Sequence, residues 1–406
     1  MAEFYPFRAI RPAEGRAASV ACLPYDVLSD EQARKLAENR ESFVHVIRSE
    51  IDLPDGTDPY SNAVYERAGA NLEQLLQSGS MIQEDHDCYY LYRESTDTHV
   101  QTGFVGTVLC RQYDEGVIRR HELTVPEKED DRTRHILATG AQTGPVFLAF
   151  ERTEQETKLI ESVTQREPVY DFLQDGVRHQ VWVIASKEEV EAVKQLFESI
   201  PVLYIADGHH RAASSCRAAK EQNAGDNEEA GRFMAVAFAA EDLAMLGYHR
   251  FVKDLNGLDK EAFLQRIGKD FTVTAAKEQL PEARHVFCMH LGDVWYTLEP
   301  NADLYNEGDS ISRLDVSILQ EKLLAPVLGI KDPRRDARII FVGGEDALKE
   351  ISALADTYPE GVAFLLYPTA IQDLLAVANE HRIMPPKSTW FEPKLLSGLF
   401  VHRIDS

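Results

Sequence analysis

A short basic cluster interrupts the apolar segment VLYIADGHHRA at residues 202–212, with polar side chains at Asp207, His209, His210 and Arg211. The run before it is continuous, apolar and rich in β-branched and aromatic residues, which is typical of a buried strand. The run after it, RAASSCRAAKEQ, is rich in helix-forming residues. The start of a helix offers unpaired N–H groups and a positive dipole end, which favour an anion, usually phosphate. We therefore predict a strand, a tight turn and a helix that together bind phosphate.

The residues of this turn suit that chemistry. Gly208 accepts backbone angles that other residues avoid, and Arg211 carries a planar, permanently charged fork for phosphate oxygens. His209 and His210 can each donate a hydrogen bond or a proton. The alternative is a merely polar turn in which Asp207 caps the helix.

A second cluster, His121 and Glu122, lies in the segment IRRHELTV beside Arg119 and Arg120. A carboxylate next to a histidine is a candidate general base. The alternative is a solvated charged turn with no chemical role.

A third cluster, Lys387, Ser388 and Thr389, follows two prolines in the segment PPKST. An extended backbone with a lysine and two hydroxyls suits nucleotide phosphates. The alternative is a surface loop. The sequence has neither a Walker A motif nor a GxGxxG motif, so the common nucleotide-binding folds are not indicated.

Several of these residues are also of metal-ligating types. Adjacent side chains tend to point apart, which argues against one zinc ion bound by both His209 and His210. A magnesium ion held by Asp207 and by substrate phosphates is the more natural expectation for a phosphoryl site.

Composition limits the possible partners. The 406 residues are 44% hydrophobic and 27% charged, with a formal net charge of −24. Such a chain is expected to be globular and not to coat nucleic acid, which requires a basic surface. The five cysteines form no CxxC pair, and no signal peptide or membrane-spanning run is visible. We expect a cytoplasmic protein with no nucleic-acid or membrane partner; its oligomeric state is not readable.

The predicted elements mix α+β and α/β organisation. We predict an N-terminal α+β region at residues 1–100, a central nucleotide-binding domain at 101–230 and a C-terminal domain at 231–406. The last domain shows a βαβα order at residues 337–381, and its PPKST tail is expected to return to the site. Residues 42–51, SFVHVIRSEI, are interpreted as a strand, and PEKEDDRTRHILAT at 126–139 as a helix.

Three motifs in this order resemble those of the free serine kinases of the ParB/sulfiredoxin superfamily: a His-Glu pair, ADGHHR and a Pro-Lys-Ser-Thr segment. The chain also resembles, nearly end to end, a large uncharacterised bacterial family with PYDV, HE, ADGHHR and MPPKSTWFEPK. The resemblance implies a ParB/sulfiredoxin-like central domain. His209 stands where sulfiredoxins carry a reactive cysteine, so that thiol chemistry is not expected.

The resemblance further implies a kinase that uses ATP or ADP with Mg²⁺ and acts on a small hydroxylated metabolite, with free L-serine as the expected acceptor. The implied catalytic residues are Glu122 as the base, His121, Asp207 and His209. The implied nucleotide-binding residues are Gly208, His210, Arg211, Lys387, Ser388 and Thr389. The alternatives are a nucleotide-binding regulator without turnover and a nucleotide phosphohydrolase in which His121 and Glu122 activate water.

Overall fold

The computed structural model describes residues 1–277 and 279–405. The helices in this part of the chain are α1 (Ala17–Val20), α2 (Asp30–Leu36), α3 (Val44–Ile47), α4 (Asn62–Gln77), α5 (Cys110–Asp114), α6 (Pro126–Thr139), α7 (Glu154–Val163), α8 (Lys187–Ser199), α9 (His209–Gln222), α10 (Lys260–Ile267), α11 (Asp315–Leu319), α12 (Ala347–Thr357) and α13 (Ile371–Asn379). Short 3₁₀ turns occupy Ser49–Asp52, Glu229–Gly231 and Ala240–Asp242, and a π-helical turn, Gln320–Leu324, follows α11.

The strands of the described residues are β1 (Phe4–Tyr5), β2 (Ile10–Pro12), β3 (Met81–Gln83), β4 (Tyr89–Ser95), β5 (Val100–Leu109), β6 (Ile118–Arg119), β7 (Ala141–Gln142), β8 (Val146–Phe150), β9 (Tyr170–Gln174), β10 (Val177–Ile184), β11 (Leu203–Asp207), β12 (Arg232–Ala239), β13 (Ala244–Leu246), β14 (His249–Val252), β15 (Phe271–Ala276), β16 (Phe287–Leu291), β17 (Val294–Pro300), β18 (Ile339–Val342), β19 (Val362–Leu365), β20 (Trp390–Glu392) and β21 (His402–Arg403). The protein is therefore a mixed α/β chain with several sheets.

Contacts divide the chain into a first unit, Met1–Leu243 with Pro393–Ser406, and a second unit, Ala244–Glu392. These boundaries differ from the three regions expected from the sequence. The difference arises because β1 and β4, from the first hundred residues, both pair with β5 in the main sheet. Only the part of the tail after Glu392 belongs to the first unit, where β21 pairs with β7.

The first unit contains a sheet of nine described strands in the order β6-β11-β8-β12-β5-β4-β10-β9, with β1 added beside β5. Strand β11 is parallel to β6 and antiparallel to β8. All five residues of β8 are fully or almost fully buried, and Val146, Leu148 and Phe150 lie in the main core. The continuous apolar strands of the sequence are thus central strands covered on both faces.

The second unit contains a sheet of six described strands in the order β15-β17-β16-β19-β14-β18. Strands β18 and β19 flank β14 and are both antiparallel to it, so they are parallel to each other. Helix α12 connects them and buries Ile351 against this sheet. The predicted order of strand, helix, strand and helix is present as β18, α12, β19 and α13.

Two local predictions have opposite outcomes. The helix predicted at residues 126–139 is confirmed as α6. The strand predicted at residues 42–51 is wrong, because this segment forms α3 and a 3₁₀ turn. The Ser49 hydroxyl donates to the backbone oxygen of His45 at 2.8 Å, which stabilises these turns locally. A short apolar run does not by itself distinguish a strand from a buried helix.

The five cysteines are buried and free of disulfide bonds. Of the helices in the described residues, none combines the length and the apolar character needed to cross a bilayer.

Candidate functional site

Two parallel neighbouring strands, β6 and β11, bring the first two sequence clusters together. Ile118 is paired with Leu203, and Arg119 with Tyr204, so the strands run side by side in the same direction. The carboxyl ends of parallel strands meet at the same edge of a sheet. The loop that holds His121 and Glu122 therefore leaves the sheet beside the turn that follows β11.

The turn between β11 and α9 requires a glycine. Gly208 has a φ of +88°, in the left-handed region that favours glycine. A Cβ at this position would lie 3.1 Å from Nε of Arg211, because the Arg211 side chain folds back over the turn. Gly208 is the N-cap of α9 and has no side chain that could cap the helix. This is the strand, turn and helix predicted from the sequence.

Asp207 ends β11 and is surrounded by positive charge. Its Oδ2 lies 3.5 Å from Nζ of Lys394 and 3.6 Å from a guanidinium nitrogen of Arg211, and its Oδ1 accepts the N–H of Gly208 at 2.8 Å. Burial would raise the pKa of Asp207, but Lys394, Arg211 and this N–H outweigh burial and lower its pKa below the usual range. The carboxylate is therefore ionised and shared between two cations.

This arrangement disfavours the magnesium role that the sequence suggested for Asp207, because a third cation at the same oxygens would meet two existing positive charges. Asp207 instead fixes the side chains of Arg211 and Lys394. The sequence motifs drew attention to the GHHR turn and indicated Lys394 only as a neighbour of the PPKST segment.

His209 and His210 both contact the loop after β6. Nε2 of His209 faces the backbone N–H of His121 at 3.4 Å, and Nε2 of His210 accepts the backbone N–H of Val125 at 2.9 Å. Burial lowers the pKa of His209 well below its usual value, and nearby His121 lowers it further. A neutral ring nitrogen can accept a hydrogen bond, so the two histidines hold this loop against the start of α9.

Glu122 lies next to the two buried histidines of the site. His121, Glu122 and His209 each offer one ligand atom, and these atoms lie within 4.8 Å of one another. The His121 and His209 rings are perpendicular, with centroids 4.5 Å apart. Burial lowers the pKa of His121 to about 4, so its imidazole is neutral near pH 7.

Two chemical uses fit this group. A carboxylate beside neutral imidazoles can accept a proton as a general base. Two imidazoles and one carboxylate are also a donor set for a divalent transition metal, with fewer oxygens than magnesium prefers.

The third sequence cluster belongs to the second unit. The backbone oxygen of Lys387 accepts a hydrogen bond from Arg250 at 2.8 Å, and Lys387 has a φ of +60°. The Ser388 hydroxyl is buried and donates to the Pro385 oxygen at 2.6 Å, and the hydroxyl of Thr369 donates to the backbone oxygen of Ser388 at 2.8 Å. The prolines thus precede a fixed turn, and the phosphate role of Lys387, Ser388 and Thr389 stays a prediction.

Comparison with known protein families gives one match. Residues 4–317 match the model of a family described as "Protein of unknown function (DUF1015)". A search of curated proteins gave no match.

Solved structures with similar chains share little sequence with this one. SbnI with a C-terminal truncation from Staphylococcus aureus is 14% identical, with a TM-score of 0.38 over 72% of this chain and 85% of that chain. A free serine kinase in complex with AMP is 12% identical, with a TM-score of 0.36 over 70% and 86%. A conserved hypothetical protein from Pyrococcus furiosus is 12% identical, with a TM-score of 0.37 over 72% and 93%.

Proposed function

The chain belongs to the family described as "Protein of unknown function (DUF1015)", and we propose that it is a nucleotide-dependent phosphotransferase that acts on a small hydroxylated metabolite. One observation carries the proposal. The Glu122 carboxylate lies within 4.8 Å of a ring nitrogen of His209, the first residue of α9. A candidate base is thus beside a helix start of the kind that binds phosphate.

The proposed reaction is a phosphoryl transfer from a nucleotide to an alcohol. The acceptor oxygen forms a bond to phosphorus as the bond between phosphorus and the leaving nucleotide oxygen breaks. Glu122 takes the hydroxyl proton of the acceptor. Such transfers need positioning and charge stabilisation more than covalent help.

The remaining residues of the turn have supporting roles. The N–H groups at the start of α9 and the Arg211 guanidinium bind phosphoryl oxygens. Asp207 keeps Arg211 and Lys394 in place through the contacts of 3.6 Å and 3.5 Å. His209 and His210 hold the loop that carries Glu122.

The acceptor and the donor are proposed from the sequence motifs. The order of the His-Glu pair, ADGHHR and the Pro-Lys-Ser-Thr segment favours free L-serine as acceptor and ATP or ADP as donor. Magnesium enters this proposal with the nucleotide phosphates, which bind it in most phosphoryl-transfer sites.

A second candidate is a nucleotide phosphohydrolase. The observation that favours it is the metal-compatible grouping of His121, Glu122 and His209. A divalent metal held there would lower the pKa of bound water, and that chemistry needs no alcohol acceptor.

A single assay separates these functions. The purified chain is incubated with Mg²⁺ and either ATP or ADP, with and without a panel of hydroxylated amino acids, and the products are resolved by ³¹P NMR. The proposal predicts a phosphorylated acceptor together with ADP or AMP, formed only when the acceptor is present. Nucleotide loss without an acceptor would favour the hydrolase. Nucleotide binding without any product would favour a regulator and contradict the proposal.

A further inference from the structure

A cavity behind the GHHR turn is lined by two arginines that come from different helices. Arg132 of α6 and Arg211 of α9 both line it, together with Tyr25, Ser215 and Ser397. The cavity is narrow, with about 30 Å³ of room for water-sized groups, and it opens to solvent. Residues four apart on a helix share a face, so Arg211 and Ser215 both face this space.

Both guanidiniums are largely withdrawn from solvent, with side-chain exposures of 13% for Arg132 and 12% for Arg211. Burial acts to lower the pKa of Arg132, but Tyr25 and Asp131 outweigh burial and raise it. Arg132 therefore stays charged. Burying a charge is costly unless it has partners of opposite sign, so a cavity walled by two such cations suits an anion.

The acidic partners of these arginines are shared with other groups. Asp131 accepts from Nε of Arg132 at 2.8 Å, but it also accepts the Tyr65 hydroxyl at 2.8 Å. Asp207 is shared between Arg211 and Lys394. Neither carboxylate is therefore a partner of one arginine alone.

Tyr25 joins the two arginines. The Arg132 guanidinium lies over its ring, 4.2 Å from the centroid. Burial and the neighbouring Asp26 raise the pKa of Tyr25 to about 12, although both Arg132 and Arg211 act to lower it. The phenol is therefore protonated at neutral pH, and its O–H can donate to an oxyanion. Tyr25 of the PYDV segment thus contributes to this cavity.

We infer that this cavity binds the oxyanion of one reactant, with Arg132 as a binding residue beside Arg211. The inference rests on the proposed function, because it assigns the oxyanion to the acceptor's carboxylate or to a phosphate of the nucleotide. Both are planar or tetrahedral oxygen anions that a guanidinium fork binds. Arg211 connects the two sites, since it lies in the first turn of α9 and its side chain lines the cavity.

The test compares two cavity variants with one matched control by isothermal titration calorimetry. Arg132→Gln removes the charge. Gly144→Val fills the cavity, since a Cβ at Gly144 lies 3.6 Å from both Cδ of Arg211 and Oγ of Ser397, and the backbone there is not left-handed. Arg134→Gln is the control, because Arg134 is on the same helix and lies over Tyr65 at 4.5 Å, outside this cavity.

The probes are AMP, L-serine and inorganic phosphate, each titrated separately. We expect both cavity variants to lose about tenfold or more in affinity for one reactant, with Arg134→Gln unchanged. A loss of affinity for L-serine alone assigns the cavity to the acceptor's carboxylate. A loss of affinity for AMP and phosphate, with L-serine affinity unchanged, assigns the cavity to the nucleotide. Circular dichroism checks that each variant is folded. If Arg132→Gln does not fold, Gly144→Val alone tests the proposal.

The inference is overturned if the wild-type chain binds none of the probes, or if both folded cavity variants bind as the control does. Its failure is distinguishable from failure of the proposed function. If binding depends on Arg132 but no phosphorylated product forms, the phosphotransferase proposal is rejected and the cavity inference is retained. If phosphoryl transfer occurs but both cavity variants bind the probes normally, only the cavity inference is rejected.

Discussion

Arg211 has more contacts than a phosphate ligand alone would need. Its guanidinium lies against Asp207 at 3.6 Å, donates to Pro145 and covers the Gly208 turn. Its charge is therefore already positioned before any ligand arrives, which lowers the ordering cost of binding.

We expect Arg211→Ala to weaken AMP binding by about tenfold or more, because a charge-assisted hydrogen bond to phosphate is lost. Isothermal titration calorimetry measures this directly. Arg217→Ala is the matched control, since Arg217 lies on the same helix and pairs with Asp130 and Glu221 at the surface. Equal affinities of the two variants for AMP would remove Arg211 from the phosphate site.

The histidine pair shows what the sequence could and could not indicate at the residue scale. The segment ADGHHR predicted a site, and the structure brings His209 close to His121 and Glu122. Nothing in the motif indicated that the ring nitrogens face backbone N–H groups of the loop after β6. That contact depends on tertiary packing, which local spacing does not encode.

At the scale of elements, the loop after β6 is held by the start of α9. His210→Leu removes the acceptor for the Val125 N–H, whereas His210→Gln offers an amide oxygen in its place. We expect the leucine variant to lower kcat by about tenfold and to speed hydrogen exchange at Val125, with the glutamine variant closer to wild type. The AMP affinity should stay unchanged in both. A lower AMP affinity with normal exchange at Val125 would instead support a phosphate-binding role for His210.

The turn before α9 allows a second test at this scale. Gly208→Ala places a Cβ in a left-handed residue and against Arg211, whereas Gly176→Ala meets the same strain at φ +80° with nothing within 4 Å. We expect losses in the free energy of unfolding of about 2 kcal/mol and about 1 kcal/mol, respectively, from urea denaturation. Equal losses would show that the contact with Arg211 contributes nothing.

Elements with strong local signals were predictable. The helix at residues 126–139 begins with a proline and acidic residues, and the strand before the GHHR turn is continuous and apolar. The parallel pairing of β6 with β11 was not predictable, because β6 has two residues and its partner lies more than eighty residues away. That pairing is what places Glu122 at the site.

At the scale of the whole molecule, buried histidines link stability to pH. Burial lowers the pKa of His121, His135, His179 and His249 to about 4. The unfolded chain binds protons below about pH 6.5 at positions where the folded chain does not, so stability falls as the pH falls through this window. Each such histidine lowers the free energy of unfolding by up to about 3 kcal/mol by about pH 4.

We expect the free energy of unfolding, measured in urea, to drop steadily between about pH 7 and about pH 5. His135→Gln keeps a donor for the Val46 oxygen, which Nε2 of His135 now contacts at 2.9 Å, and it should reduce the slope of stability against pH. A slope identical to that of the wild type would show that protonation of His135 does not contribute to the pH dependence of stability.

The division of the chain shows the limit of sequence reasoning at this scale. The predicted alternation of strands and helices suggested a boundary at residue 100, but β1 and β4 on one side pair with β5 on the other. The tail is divided as well, since Ser388 belongs to the second unit and Lys394 to the first. Pairing between distant strands sets these boundaries, and it leaves little local signal in the sequence.

The central claim, that Glu122 is the base of a phosphoryl transfer beside the start of α9, is tested most directly by Glu122→Gln. Transfer to the acceptor is measured by ³¹P NMR, and AMP binding by calorimetry, in the variant and in the wild type. We predict a fall in kcat of about 100-fold or more with AMP affinity unchanged, because the amide cannot take the hydroxyl proton. A variant that transfers phosphate as fast as the wild type would contradict the account.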